Sequence, residues 1–387
     1  MKLRKLSKKL LFSCIMFSWL AVSGAVMAEG DPDEDAPLAA LGEVPDPADN
    51  KMTPAKIELG KMLFFDPRLS GDASIACSDC HIPKEGWSQA VEISRGYPGT
   101  IHWRGNQTIV NSAYLGKLFW GGSKKSLEVQ ASATARGGVA GNGEEDVMEA
   151  RLAFIPEYVE LFRQEFGDEW PLIGNAWRAI AAFERTLIQR DTPLDNYLNG
   201  DDSALDDTQK AGLELFRGKA NCIECHNGPM LSDEKYYNLG VPRHEGWLTD
   251  GLKQITFRFQ LFAKGSKEPH YRKLKDDPGF YFQTKSEKDM GKFRTAPLRY
   301  LKYTAPYMHN GALFTLKDVV DFYNDGGGDN DFTIGWGKSK TPILKPLNLT
   351  DEEKGALVAF LESISGEEIL METPQLPKYQ PLPAPIQ

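Results

Sequence analysis

The chain has 387 residues, of which 41% are hydrophobic and 11% aromatic, so it can bury a sizeable core around a large flat cofactor. This length predicts one large domain or two of ordinary size. The formal net charge is −9. Because an acidic surface repels phosphate backbones, nucleic acid is excluded as an expected partner.

The first 28 residues have the features of a secretory signal peptide. Five basic residues lie within the first nine positions, and an apolar run from Leu10 to Val26 ends in the small-residue pattern Val26-Met27-Ala28. Cleavage there takes the net charge from −9 to −14. No later stretch is long and apolar enough to span a bilayer. We therefore expect a periplasmic protein without a membrane span, the alternative being a retained anchor.

The segment that follows the signal, residues 29–52, is acidic and rich in Pro and Ala. This composition predicts a flexible lead-in. From Thr53 the apolar residues take helical spacing, and Pro54 stands where a first-turn proline is tolerated. The sequence thus predicts that the folded part begins with a helix at about residue 53.

Two CxxCH motifs carry the clearest chemical signal. The first is Cys77 to His81, the second is Cys222 to His226, and together they use every cysteine that remains after signal cleavage. CxxCH is the attachment signature of haem c: the thiols bond to the porphyrin and the His reaches the iron as proximal ligand. The chain is therefore predicted to carry two covalent haems, attached at Cys77, Cys80, Cys222 and Cys225 and ligated by His81 and His226.

A Cys₄ zinc site and two short disulfides are the alternatives for these cysteines. Structural zinc pairs usually lie ~15–20 residues apart, whereas these two pairs lie 145 residues apart. Neither alternative explains a histidine directly after both pairs.

Each motif follows a helical pattern and precedes a loop-rich region, and few segments alternate as strands do. We therefore predict a mostly α fold made of two c-type cytochrome domains in tandem, each with one covalent haem and long loops between helices. The N-terminal domain spans residues 53–200 and the C-terminal domain residues 201–370, with the boundary in the polar, turn-rich stretch 191–207. The Pro-rich residues 371–387 cannot form a regular helix and are predicted to be a tail.

The porphyrin and the proximal His fill five iron positions, so the occupant of the sixth position decides what each haem does. A strong ligand gives an electron-transfer haem, and an open position gives a site for peroxide or oxygen. Four further histidines are available after signal cleavage, and composition alone does not choose among them: His102, His244, His270 and His309.

Four segments resemble the bacterial di-haem cytochrome c peroxidases and their MauG relatives. They are Leu59 to Ser70, Phe119 to Gly122, Gly291 to Arg299 and Thr304 to Gly311. The last three are similar to the family patterns FWDGR, GKFRTPSLR and TxPYMHNG. The resemblance runs from about residue 53 to about residue 365.

The resemblance implies a high-spin, peroxide-reactive haem at His81 and a low-spin second haem. In the peroxidases a Met 17 residues after the Pro of TxPY binds that second haem, whereas MauG-like proteins have Tyr. Counting from Pro306 leads to Tyr323 without a gap, which implies His226–Fe–Tyr323 ligation. The alternative is a tyrosine of the core. Because a phenolate is a hard anionic donor that favours Fe(III) and higher states, Tyr323 favours a MauG-like protein over an ordinary peroxidase.

Other residues take expected roles from the same resemblance. Trp120 matches the tryptophan that lies between the haems, where an indole can pass charge between the irons; the alternative is a core aromatic. Gln130 matches a polar residue of the peroxide pocket. Thr304 and Pro306 match carbonyl ligands of a calcium ion between the haems, with Asn106 as the side-chain ligand, and such oxygens suit Ca²⁺.

Three positions depart from the family pattern. The distal Glu of the family has no equivalent in Gly137 to Asn142, where Glu144 or Glu145 could substitute. Ala220 stands where MauG carries a surface Trp, so the electron route to a partner must differ. His102 lies where peroxidases hold a His that blocks the first haem at rest and where MauG has a His without that role.

Two main functions follow from these features. The first is a periplasmic MauG-like oxidoreductase that uses hydrogen peroxide to oxidise a residue, a Trp in known relatives, of a secreted partner protein through a shared high-valent di-haem state. The alternative is a peroxidase that reduces peroxide with electrons from a small cytochrome or copper protein. A pure electron-transfer cytochrome is the third possibility, which an open His81 haem would disfavour.

Overall fold

The computed structural model describes residues 37–243, 246, 249–336 and 338–380. The predicted signal peptide, His244 and residues 381–387 of the predicted tail lie outside these residues. In the described part the fold is mostly α, as predicted, and long loops separate the helices. No helix there is both long and apolar enough to cross a membrane.

The described helices are joined by short 3₁₀ turns and irregular segments. They are α1 (Pro54–Phe64), α2 (Leu127–Ala135), α3 (Glu145–Ala153), α4 (Pro156–Phe166), α5 (Ile173–Glu184), α6 (Pro193–Leu198), α7 (Asp207–Arg217), α8 (Gly251–Ala263), α9 (Glu268–Lys273), α10 (Tyr281–Thr284), α11 (Leu316–Asn324), α12 (Asp331–Ile334) and α13 (Asp351–Ser363). Two short strands, β1 (Tyr236–Tyr237) and β2 (Phe293–Arg294), pair antiparallel.

Side-chain caps set the starts of the helices that matter for the site. The hydroxyl of Thr53 accepts the Lys56 N–H at the start of α1, and Thr350 opens α13 with a capping box. Thr315 caps α11 in the same way. The last turn of α11 carries Tyr323.

The helix that precedes each CxxCH motif packs on a later helix in the same manner. In the N-terminal half, Phe64 of α1 meets Phe183 of α5 with ring centroids 5.3 Å apart. In the C-terminal half, Phe216 of α7 meets Phe360 of α13 at 5.1 Å. This repetition gives the two halves the same local frame around each motif.

Two hydrophobic clusters form most of the core. One draws its residues from Leu59 to Leu187 together with Tyr300. The other draws from Leu194 to Ile364 together with Leu38. The domain boundary at residue 200 stays a prediction.

The described part of the predicted flexible lead-in is packed. Leu38 and Leu41 are buried, and Asn50 is 3% exposed. The side chain of Asn50 donates to the Glu128 carboxylate at 2.8 Å and to the Arg178 carbonyl at 3.0 Å. Composition missed this packing because a few apolar and amide groups are enough to hold a short polar segment on a large core.

Candidate active site

The two CxxCH motifs fold into the same short 3₁₀ turn. It spans Cys77–Asp79 in the first motif and Cys222–Glu224 in the second. The amide of His81 donates to the Cys77 carbonyl at 2.9 Å, and the amide of His226 donates to the Cys222 carbonyl at 2.9 Å. The turn therefore holds the histidine of each motif close to the first cysteine of the same motif.

Each motif histidine is oriented by a backbone carbonyl. Nδ1 of His81 lies 3.0 Å from the carbonyl oxygen of Trp87, and Nδ1 of His226 lies 3.0 Å from that of Leu231. A carbonyl only accepts, so Nδ1 carries the proton and Nε2 keeps its lone pair for a metal. Burial lowers the pKa of both imidazoles, which keeps them neutral and able to ligate iron.

The four motif cysteines form no disulfide with one another. Burial raises the pKa of Cys80 to about 11 and that of Cys225 to about 11. No group of three or more His, Cys, Asp or Glu side chains in the described ranges is arranged to hold a metal ion. The geometry thus matches neither the disulfide nor the Cys₄ zinc alternative.

One cavity of about 720 Å³ joins the two motifs. Cys80 and His81 line it in the first half, and Cys222, Cys225 and His226 line it in the second. The same walls bring together most of the residues predicted from the family resemblance, namely His102, Asn106, Trp120, Gln130, Thr304, Pro306, His309 and Tyr323. His270 lies outside these walls.

The described cavity wall is cationic and contains no carboxylate. Its basic side chains are Arg95, Arg104, Lys124, Lys264, Arg294, Arg299 and Lys345. Arg294 is only 2% exposed, and its guanidinium donates to the carbonyls of Phe119 and Thr295 without an ion pair to any described carboxylate. The Glu234 carboxylate acts on this guanidinium only at longer range, and a buried cation without an ion-pair partner is costly. The wall therefore fits two haems, whose propionates are anionic.

Tyr323 lies on the wall of this cavity near the second motif. Removal from bulk water and the neighbouring thiols of Cys222 and Cys225 raise its pKa. No described protein group hydrogen-bonds to its hydroxyl. The arrangement leaves the phenol oxygen available for a ligand in the cavity, so ligation of the second haem iron stays the prediction for Tyr323.

Trp120 is held by two backbone contacts. Its indole N–H donates to the Gly105 carbonyl at 2.7 Å, and its own carbonyl accepts the Arg294 N–H at 3.0 Å. Its ring makes an edge contact with His309, with centroids 6.4 Å apart. These contacts fix the indole on the wall that both motifs share, as a bridging role requires.

The hydrogen bonds of His102 determine which of its ring nitrogens carries the proton. Its Nδ1 accepts the backbone N–H of Arg104 at 3.1 Å, so the neutral ring carries its proton on Nε2. Burial, with the Arg104 guanidinium nearby, lowers its pKa to about 3. An Nε2–H is not an iron ligand. In this arrangement His102 has an N–H on the nitrogen that an iron would need, so the resting-state block of the peroxidases is not favoured.

The remaining pocket predictions fit less well. Gln130 lines the cavity but donates to the Thr134 hydroxyl at 2.9 Å. Neither Glu144 nor Glu145 lines the cavity, and Glu145 meets Arg136 at 3.4 Å instead. The structure therefore supplies no distal carboxylate from this segment, because Glu144 is exposed and Glu145, the first residue of α3, pairs with Arg136.

The predicted calcium ligands are only partly free. No described donor reaches the carbonyl oxygens of Thr304 and Pro306, which suits a cation. The Oδ1 of Asn106, however, accepts the Gln89 N–H and the Ser94 hydroxyl, both at 3.0 Å. Asn106 offers no free oxygen in this arrangement and does not fit as a ligand. Calcium stays a prediction that rests on the two carbonyls.

Two features of the site were not predicted from the sequence. The first is the pair of backbone carbonyls, of Trp87 and Leu231, that orient the proximal histidines. Every residue has a backbone carbonyl, so the residue types do not indicate which ones take this role. Arg294 lies inside a segment that resembles the family, but the match gave it no role. Its place in that segment was the only signal, because the segment also contains Lys292 and Arg299 and the charge of Arg294 alone does not single it out.

Two CxxCH turns on one cationic cavity define a di-haem c-type cytochrome. A model of the family described as di-haem cytochrome c peroxidase matches residues 54–203. Cytochrome-c peroxidase IdrP1 of Pseudomonas sp. (strain SCT) is 52% identical over 98% of this chain and 99% of its own length. Methylamine utilization protein MauG of Methylorubrum extorquens is 33% identical, over 92% of each chain.

The solved structures agree. A MauG-like protein associated with microbial copper homeostasis superposes with a TM-score of 0.69 at 27% identity, covering 88% of this chain and 96% of its own. The chain belongs to the di-haem cytochrome c peroxidase and MauG family, and it is a haem oxidoreductase that acts with peroxide.

Proposed function

We propose that this protein is a periplasmic di-haem peroxidase that reduces hydrogen peroxide to two waters with two protons and two electrons from a small c-type cytochrome. The proposal rests on near full-length similarity, at 52% identity, to a protein named cytochrome-c peroxidase. The MauG protein is more distant, at 33%. The similarity to named relatives therefore favours the peroxidase activity. Tyr323, taken alone, favours the MauG-like activity.

The cavity shared by both motifs is the structural observation that carries the proposal. The bound haems would supply the redox chemistry, which is theirs and not the protein's. His81 and His226 would each hold an iron, with Nε2 free and Nδ1 tied to a carbonyl. Trp120, on the wall common to both motifs, would support electron transfer between the two haems.

Peroxide binding needs donors and a dry pocket around the first haem. With its Nδ1 occupied by the Arg104 amide, His102 would present Nε2–H to an oxygen in the cavity. Gln130 lines the same cavity and could add a second polar contact. Because no described carboxylate lines the wall, we infer that protons reach the pocket through solvent or neutral polar groups.

Steady-state kinetics on the holoprotein test the proposal. Reduced cytochrome c is mixed with enzyme and peroxide, and its oxidation is followed by absorbance. We expect two cytochromes oxidised per peroxide, with a rate that rises with donor concentration. A His81→Gly variant, which keeps both thiol pairs, should lose this turnover. Absence of donor-dependent peroxide reduction in the wild type would overturn the peroxidase assignment.

A second candidate function is the oxidation of a residue in a partner protein. The free hydroxyl of Tyr323 in the cavity favours it, because a phenolate ligand would stabilise oxidised iron. The same holoprotein, treated with peroxide and a secreted protein encoded beside its gene, should then produce a mass increase on a Trp of that protein. Mass spectrometry after peroxide, with and without reduced cytochrome c, separates the two functions.

We infer that the reaction takes place in the periplasm. The support is the basic and then apolar pattern of the first 28 residues, which is typical of a cleaved signal. Attachment of haem to CxxCH motifs after secretion would suit the same compartment. Cell fractionation with haem staining of the mature protein tests this location, and a cytoplasmic haem-stained band would contradict it.

A further inference from the structure

A buried tyrosine and a buried histidine form a hydrogen-bonded pair next to the cavity but outside it. The hydroxyl of Tyr281 lies 3.0 Å from Nδ1 of His270, and the two rings meet at 82°. Each residue is only 1% exposed. The pair has no role in the functions described above.

His270 is arranged to accept the phenol proton. Burial lowers its pKa, so the ring is neutral, and Nδ1 is the acceptor while Nε2 carries the proton. Nε2 lies 3.6 Å from the Glu287 carboxylate, which would stabilise an imidazolium. On its other face the ring makes an edge contact with Trp336, with centroids 5.2 Å apart.

The pair lies directly behind the cavity wall. Phe282, the next residue in the chain, lines the cavity, and so does Trp103, whose ring meets that of Phe282 at 6.5 Å. Trp103 also stacks on His102, with centroids 3.9 Å apart. All three rings of Trp103, Tyr281 and Phe282 belong to one hydrophobic cluster. This cluster therefore connects the cavity wall at Trp103 and Phe282 with the buried Tyr281.

We propose that Tyr281 is a redox-active residue that gives an electron to the peroxide-oxidised haem centre. One electron leaves the phenol and lowers the oxidation state of that centre by one. The hydroxyl proton moves to Nδ1 of His270 along the existing hydrogen bond. The products are a neutral tyrosyl radical and an imidazolium beside Glu287. The inference rests on the proposed reaction of the haems with peroxide.

The base is what separates Tyr281 from the other buried tyrosines of the described core. The hydroxyl of Tyr300 accepts the Ile369 N–H at 2.7 Å and has no basic partner. The hydroxyl of Tyr158 donates to Asp66, but that carboxylate is already paired with Arg68 at 2.5 Å. Oxidation of Tyr300 would leave the phenol proton without an acceptor, which makes Tyr300 a matched control.

Electron paramagnetic resonance on the holoprotein tests the proposal. Four proteins are compared: the wild type, Tyr281→Phe, His270→Gln and Tyr300→Phe. Each is mixed with one equivalent of peroxide in the absence of an electron donor and then frozen. Haem absorption is recorded in parallel. Ring-deuterated tyrosine identifies a tyrosyl signal by its narrowing. We expect the tyrosyl signal in the wild type and in Tyr300→Phe. In Tyr281→Phe and in His270→Gln its intensity should be at least tenfold lower.

The outcomes distinguish this inference from the proposed function. A tyrosyl signal that survives undiminished in Tyr281→Phe, or no tyrosyl signal in a wild type whose haem absorption responds to peroxide, overturns the redox role alone. Haem absorption that does not respond to peroxide in the wild type overturns the proposed function and this inference together. If Tyr281→Phe itself loses the haem response, the tyrosine has a structural role and the inference is wrong.

Discussion

Gly212 of α7 lies directly against the backbone of Ala356 of α13, so closely that a Cβ at position 212 would fall 2.0 Å from the Ala356 carbonyl oxygen. The same relationship recurs in the other half of the chain. A Cβ at Gly60 of α1 would fall 1.8 Å from the carbonyl oxygen of Ala179 in α5. In both halves a glycine thus sets the distance between the helix that precedes a CxxCH motif and the helix that supports it.

Replacement of Gly212 by Ala should destabilise the protein because a backbone carbonyl cannot yield as a flexible side chain can. Overpacking of this kind costs ~1–3 kcal/mol, and a contact this short belongs at the upper end. Chemical denaturation of the holoprotein measures it. The matched control is Gly355→Ala in α13, where nothing lies within 4 Å of the new Cβ; it should stabilise by up to about 1 kcal/mol. If both substitutions changed the free energy of unfolding equally, the close contact at Gly212 would not be the cause.

The side chain of Glu184 predicts a pH dependence of stability. It is 4% exposed, its Oε2 has no partner among the described residues, and burial raises its pKa from 4.5 to about 8. Between these two values the folded state holds a proton that the unfolded state has released. The contribution of this group to stability is therefore fully present below pH 4.5 and is lost as pH rises through 8.

A Glu184→Gln variant should remove that loss, since an amide does not ionise. At pH 7 the expected gain is on the order of 3 kcal/mol relative to wild type, and it should shrink toward zero near pH 4.5. Denaturation curves at several pH values check this. The control is Glu157→Gln, at an exposed carboxylate in the first turn of α4, and it should leave the slope unchanged. A slope that persists in Glu184→Gln would contradict the assignment.

Much of the site was predictable because its chemistry lies in short local motifs. The two CxxCH motifs specify thiols and a proximal imidazole within five residues, and the count from Pro306 leads to Tyr323 on one cavity with His226. The failures concern groups brought together from distant parts of the chain. The outward position of Glu145, the occupied oxygen of Asn106 and the proton position on His102 all depend on partners that residue types alone do not reveal.

The buried guanidinium of Arg294 should tune the potential of the haem beside it. A nearby positive charge favours the reduced iron, because reduction adds an electron, and low dielectric strengthens this effect. Arg294→Gln keeps two hydrogen-bond donors but removes the charge, so one haem midpoint potential should fall. Spectroelectrochemical titration measures it, with Arg294→Lys, which keeps the positive charge, as control. If both potentials stay at wild-type values, Arg294 does not interact with a haem.

The Tyr323 hydroxyl is the group expected to distinguish this chain from peroxidases with a methionine at the same spacing. Tyr323→Phe removes the phenol oxygen and keeps the ring, so both haems should remain attached while the second loses its sixth ligand. Low-temperature electron paramagnetic resonance should then show a low-spin ferric signal replaced by a high-spin one. Tyr307→Phe is the matched control, because Tyr307 lines the same cavity but donates its hydroxyl to the Leu301 carbonyl at 3.1 Å. That variant should keep the low-spin signal. A low-spin signal that survives in Tyr323→Phe would mean that another side chain ligates the second iron and that Tyr323 only packs against it.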